Sequence, residues 1–120
     1  MSREDWGLVI LRVGLALVYL WFGFSQLFDS LNWVYLVPNW AVNLSHLPPA
    51  MIVLANGLFE VIVGTFLIIG FFVRPMTLLY VAHLFVISVE MGISSAGVRD
   101  IGLTLSALAL FLLYKPENRL

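Results

Sequence analysis

The sequence predicts an all-α fold: a transmembrane four-helix bundle with a short outer-surface loop or helix between the first and second spans. Three observations predict it. Of 120 residues, 62% are hydrophobic and only 11% charged, whereas soluble domains run about half apolar and about a quarter charged. The apolar residues gather in four runs, each near the roughly 20 residues that cross a bilayer. The stretches between the runs, Asp29–Pro49, Arg74-Pro75 and Gly92–Gly97, are rich in the residues that break helices. At this length a single transmembrane domain, residues 1–120, accounts for the chain.

The first span runs from Trp6 to Phe28. It is too apolar for too long to be a secretory signal, and no small-x-small cleavage site follows it, so it reads as a retained helix. Asp29–Pro49 mixes Asp29, Ser30, Asn32, Asn39, Asn43 and His46 with Trp33, Tyr35 and Trp40. Aromatic and polar side chains together suit the headgroup region, so this segment is expected to lie on the membrane surface. Pro48-Pro49 opposes helix on its N-terminal side, and the second span follows over 50–73. Arg74-Pro75 is expected to be a tight connection, with the third span over 76–93 and the fourth over 98–114. A polar tail, Lys115–Leu120, closes the chain.

Net charge and cysteine content narrow the function. A charge of −1 gives no electrostatic reason to expect a nucleic-acid partner. The absence of cysteine excludes disulfides, thiol redox chemistry, cysteine-bound iron–sulfur clusters and thiolate zinc sites in this chain. With four spans, Arg3, Arg12, Arg74, Lys115 and Arg119 fall on or near one side and Arg99 on the other. The positive-inside rule then places both termini in the cytoplasm and turns the Asp29–Pro49 segment outward; the membrane is expected to be a prokaryotic cytoplasmic membrane.

Within the spans the polar and small residues keep helical spacing. Arg12, Ala16, Tyr19, Gly23 and Gln26 share a face of the first span, and Asn56, Glu60 and Gly64 a face of the second. Tyr80, His83 and Glu90 fit the third, and Asp100, Thr104, Ala107, Phe111 and Tyr114 the fourth. Small residues let helices approach and polar ones hydrogen-bond across the contact, so the four faces are expected to turn together into a polar seam.

A charge at bilayer depth is costly and by default marks a functional site. Glu60 lies roughly 15 Å below the outer start of its span, and Tyr19, Glu90 and Asp100 come out about 20–22 Å above the cytoplasmic end of theirs. Tyr19, Glu60, Glu90, Asp100 and Arg99 are therefore expected at one height, with Gln26 above them at the mouth of an outward-opening pocket under the Asp29–Pro49 segment. Such carboxylates cannot all be charged in a dry core; one or more is protonated, or water reaches them. The plainer alternative is that Glu60 and Arg99 tie helices together while Glu90 and Asp100 sit in water at the interface. Arg12 and His83 are expected in a lower tier about 9–12 Å from the cytoplasmic edge. There Arg12 either snorkels to that edge or pairs with Glu60 through an intermediary. His83 reads as a helix-to-helix hydrogen-bonding group, since no second histidine faces it for haem. No metal cluster or nucleotide loop is expected.

These residues resemble the DoxX family. Phe59–Gly64, then Ile69-Gly70 and Arg74, is similar to the family's helix with a glutamate, a nearby glycine, a long apolar run and a Gly-x-x-x-Arg-like end. Arg12 stands where the family carries an arginine early in the first helix, and Gly23–Leu27 resembles its Gly-x-x-Lys-Leu stretch, with Gln26 in place of the lysine. Members that use paired cysteines are no guide to this chain. The resemblance implies a membrane subunit of a redox complex, linked to quinone, of the kind found in a thiosulfate:quinone oxidoreductase or beside redox-stress enzymes. A chain of this size is not expected to be a complete oxidoreductase, nor to carry a cofactor of its own; it would work with a partner subunit or as a homo-oligomer. On that resemblance Glu60 would exchange protons with Tyr19 beside it, and Arg12, Gln26, Asn56, His83, Glu90, Arg99 and Asp100 would form the surrounding ligand-binding set. Phe59, Phe22 and Trp21 would wall a quinone head. The competing functions are a non-catalytic anchor for a partner enzyme and a small transporter or proton pathway through Glu60.

Overall fold

A computed structural model describes residues 1–115; the expected tail from Pro116 onward, Arg119 included, lies outside the described residues. The order is α1 (Arg3–Phe28), two single 3-10 turns (Ser30–Asn32 and Val34–Leu36), α2 (Asn39–Ser45), α3 (Pro49–Ile69), α4 (Val73–Met91) and α5 (Ser95–Leu113). There is no strand among the described residues. Four of the helices are long and apolar enough to cross a membrane.

Local chemistry sets the ends. Ser2 and Asp5 form a reciprocal cap at the start of α1, each side chain accepting from the other's backbone N–H, at 3.0 and 3.1 Å. Pro49 stands at the first position of α3, where its missing N–H costs nothing. Ser94 Oγ accepts the Gly97 N–H at 3.1 Å and starts α5.

The boundary between the second and third spans differs from expectation. α3 stops at Ile69 rather than at residue 73, because Gly70 takes a left-handed conformation (φ 77°) and turns the chain. Arg74 and Pro75 are not the connection; they lie in the first turn of α4, where proline is tolerated. α4 therefore begins three residues earlier than expected and stops at Met91, and α5 begins at Ser95 and stops at Leu113.

α1 packs chiefly against α3, and α4 against α5; the two pairs touch each other more sparingly. The α1–α3 contact depends on small residues. A Cβ added at Gly23 would stand 2.9 Å from the Gly57 carbonyl oxygen, and one at Gly64 3.2 Å from that of Ala16. Leu15, Ala16, Tyr19, Val63, Leu67, Tyr80 and Leu110 fill the interior. Ile10, Leu17, Trp21, Val89, Leu105 and Leu112 point outward, an apolar surface that lipid covers.

Candidate functional site

A cavity of about 370 Å³ opens between the two helix pairs, beneath the segment that joins α1 to α3. Val18, Phe22, Val53, Leu84 and Leu103 supply apolar walls, and Trp33, Leu36 and Pro38 roof it. Tyr19, Gln26, Asn56, Glu60, Arg99 and Asp100 supply its polar groups.

Helical periodicity places these side chains as expected on three of the four long helices. All five seam residues of α1, from Arg12 to Gln26, are buried. On α3, Glu60 and Gly64 are buried and Asn56 half-buried; on α5, Asp100, Thr104 and Ala107 are buried and Phe111 half-buried, and Tyr114, just past its end, is buried.

At the cavity floor the polar groups form one connected set. Gln26 Nε2 donates to Glu60 Oε1 at 2.7 Å. Asn56 Nδ2 donates to Gln26 Oε1 at 2.7 Å and to Glu60 Oε1 at 3.3 Å. With its nitrogen so used, Asn56 presents Oδ1 to His83 Nε2, 2.5 Å away, and His83 Nε2 must be the donor. His83 Nδ1 then accepts from the Tyr19 hydroxyl at 2.6 Å. Every donation runs toward Glu60. Tyr19 is held in turn by stacking on Tyr80, ring centroids 3.7 Å apart, and Tyr80 by its hydroxyl on the Leu15 carbonyl at 3.0 Å.

Glu60 Oε1 thus takes both donors. Asp100 Oδ1 accepts from Arg99 Nε at 3.0 Å. Among the described residues no buried side-chain nitrogen or oxygen lacks a hydrogen-bond partner. Glu60 Oε2 and Asp100 Oδ2 make none, so they are the oxygens reached from the cavity that both residues line. The Arg99 side chain is half exposed at the rim and lies over the Phe22 ring, 5.0 Å from its centroid.

Several expected placements change. His83 is not in a lower tier with Arg12; it stands level with Tyr19 and Asn56. The expectation measured α1 from Trp6 and α4 from Met76. In the fold, α4 starts at Val73, and α1 runs on about 13 Å below the level of Arg12. Arg12 neither snorkels nor reaches toward Glu60. It is buried, and its guanidinium donates to the Leu67 carbonyl and, at 3.1 Å, to that of Ile68, where α3 ends. A cation satisfying the last carbonyls of a helix also opposes its dipole. Glu90 is not on the seam: it is exposed near the end of α4 and accepts from Trp40 Nε1 at 2.5 Å. Of the expected aromatic walls only Phe22 lines the cavity; Phe59 packs on Tyr19 and His83, and Trp21 points outward.

The pocket lies under the Asp29–Pro49 segment, as expected, although none of that segment's residues was expected in the ligand-binding set. Trp33 is fixed there by its indole N–H on Ser25 Oγ (3.2 Å) and by edge contact with Phe22. The available signal was the density of aromatic residues in a segment short enough to have to cross the mouth of the bundle. Among the described residues no group of three histidine or acidic side chains could hold a metal ion.

Four lipid-facing helices around a partly polar cavity define an integral, multi-pass membrane protein. The profile of the DoxX family matches residues 7–92, and the chain belongs to that family. No curated protein and no solved structure gives a significant match. The matched segment includes Arg12, Tyr19, Gln26, Asn56, Glu60 and His83; Arg99 and Asp100 lie beyond it.

Proposed function

We propose that the chain is a membrane subunit of a redox complex whose cavity receives the head group of a quinone. The observation that carries this reading is Glu60, a carboxylate at bilayer depth with one oxygen secured by Gln26 and Asn56 and the other open to a cavity. A head-group site needs a slot with apolar walls, a few orienting polar groups and a residue able to exchange protons. Phe22, Val18 and Leu103 suit the walls. Tyr19, Asn56 and His83 hold the Glu60 side chain in position. The quinone would supply the electron chemistry; this chain would bind and orient it and hold or release a proton at Glu60 Oε2. The cavity is taken to face outward and both termini inward, in keeping with the distribution of basic residues.

The test is chromophoric. Protein purified in mild detergent from membranes containing quinone should carry it, visible as a reduced-minus-oxidised absorbance difference. Glu60→Gln should remain inserted and folded while quinol-linked electron transfer in the assembled complex is lost. If the purified protein carries no quinone, and Glu60→Gln changes only the recovery of a partner, the chain is an anchor instead. Substrate uptake by the protein alone in proteoliposomes would favour a transporter.

A further inference from the structure

We propose that the cavity favours the hydroquinone form over the quinone form, one hydroxyl bonding to Glu60 Oε2 and the other to Asp100 Oδ2. The proposal rests on the reading of the cavity as a quinone head-group site and adds the redox form it holds.

The argument is one of donors and acceptors. A quinone presents two carbonyl oxygens and needs donors; a hydroquinone presents two O–H groups and can use acceptors. On the deep wall, each donor atom already has an acceptor. Gln26 Nε2 and Asn56 Nδ2 give to Glu60, the Tyr19 hydroxyl gives to His83, and His83 Nε2 gives to Asn56. What the wall leaves open is two carboxylate oxygens, on α3 and on α5. Further N–H groups come from Arg99 and from the second N–H of Gln26 Nε2, one donor on the wall against two open acceptors. Arg99 reaches in from the half-exposed rim, with Nε committed to Asp100. With both carboxylates ionised, a quinone carbonyl placed against either open oxygen would set acceptor against acceptor and leave both groups without their water.

The bonding around each carboxylate also fixes what an amide would do in its place. In Glu60→Gln, the two N–H groups from Gln26 and Asn56 require the amide oxygen where Oε1 now sits. The new NH₂ must then take the Oε2 position and point a donor into the cavity. In Asp100→Asn, the Arg99 Nε–H holds the amide oxygen at the Oδ1 position by the same logic, and NH₂ faces the cavity. Each substitution turns one acceptor into one donor at nearly constant volume, so the two together should reverse the selectivity of the site.

Equilibrium dialysis tests this on the full chain in nanodiscs, with empty nanodiscs as the blank. Three probes are compared: a short-chain benzoquinone, its hydroquinone kept reduced without oxygen, and the hydroquinone dimethyl ether, which has the same ring and no O–H. The hydroquinone should bind about tenfold or more tightly than either of the others, the factor expected from one charge-assisted hydrogen bond. Glu60→Gln and Asp100→Asn should each weaken hydroquinone by a similar factor, and the double variant should bind the quinone more tightly than the hydroquinone. Retained quinone binding also shows that the variants are folded. Equal affinity for all three probes in the unmodified chain, or preference for the quinone, would overturn the proposal while leaving the head-group site standing. Binding of none of the three would remove both.

Discussion

Gly23 lies where α1 and α3 come closest, and replacing it with alanine tests the packing that holds the site together. A Cβ there would stand 2.7 Å from Val61 Cγ2, 2.9 Å from the Gly57 carbonyl oxygen and 2.9 Å from the Val61 nitrogen. Carbon atoms in contact prefer about 3.5–4.0 Å. Two of the three obstacles are backbone, so no rotamer change relieves them and the helices must part. Overpacking of this kind costs about 1–3 kcal/mol, and the backbone obstacles put Gly23→Ala at the upper end. Gln26 sits one turn further along α1, so the same displacement lengthens its 2.7 Å bond to Glu60. The control is Gly14→Ala on the same helix, where an added Cβ meets nothing within 4 Å. Relief of glycine's backbone freedom should there stabilise by roughly 0.5–1 kcal/mol. Unfolding in mild detergent titrated with sodium dodecyl sulfate, followed by circular dichroism, measures both. The two variants should shift the midpoint in opposite directions. If Gly23→Ala unfolds with the unmodified chain or with Gly14→Ala, the close α1–α3 approach described here is wrong.

Three other outcomes follow from the geometry. Arg12→Met should destabilise the bundle by about 2–3 kcal/mol, since it removes charged hydrogen bonds from the α3 terminus; Arg12→Lys should recover part of that in the same titration, and no loss in either variant would refute the capping role. His83→Leu strands Asn56 Oδ1 and leaves the Tyr19 hydroxyl only the Tyr80 carbonyl, 3.5 Å away, at about 1–3 kcal/mol for a buried group left unpaired, whereas Glu90→Gln, at an exposed contact, should stay within about 0.5 kcal/mol; equal losses would contradict the placement of both. Because the chain has no cysteine, Asn43→Cys and Phe71→Cys are clean topology reporters. A membrane-impermeant maleimide added to intact cells should label the first alone, and labelling of Phe71→Cys would invert the proposed orientation.

What the sequence disclosed depended on how local the determinant was. The burial of Arg12, Ala16, Tyr19, Gly23 and Gln26 followed from spacing alone, because one rigid helix fixes their shared face. The surface segment was legible in the same way, from its prolines and aromatic residues. Heights across different helices were not. They depend on where each helix starts relative to its neighbours, and one left-handed glycine, Gly70, moved the origin of α4. That shift took Arg74 off the end of α3 and, together with the extension of α1 below Arg12, brought His83 level with Tyr19 and Asn56. Arg74 instead covers the Phe111 ring at 4.4 Å. The partners of Arg12 were hidden for another reason: they are backbone carbonyls, which leave no trace in residue identity. The open oxygens of Glu60 and Asp100 depend on which atoms their neighbours occupy, and only coordinates give that.

The division of the bundle into an α1–α3 pair and an α4–α5 pair has a thermodynamic corollary. The second pair is a hairpin of consecutive helices, whereas the first is joined only across the 20 residues between Phe28 and Pro49. Docking of the halves is therefore the least strongly determined step of assembly, and the cavity exists only after it has happened. Whatever occupies the cavity touches Val53 and Glu60 from one half and Leu84 and Asp100 from the other. By mass action an occupant at one hundred times its dissociation constant would add about 2.7 kcal/mol to the cohesion of the docked state. Occupancy would thus act as a third element of the junction, and membranes depleted of the occupant should yield chains whose halves separate at lower denaturant.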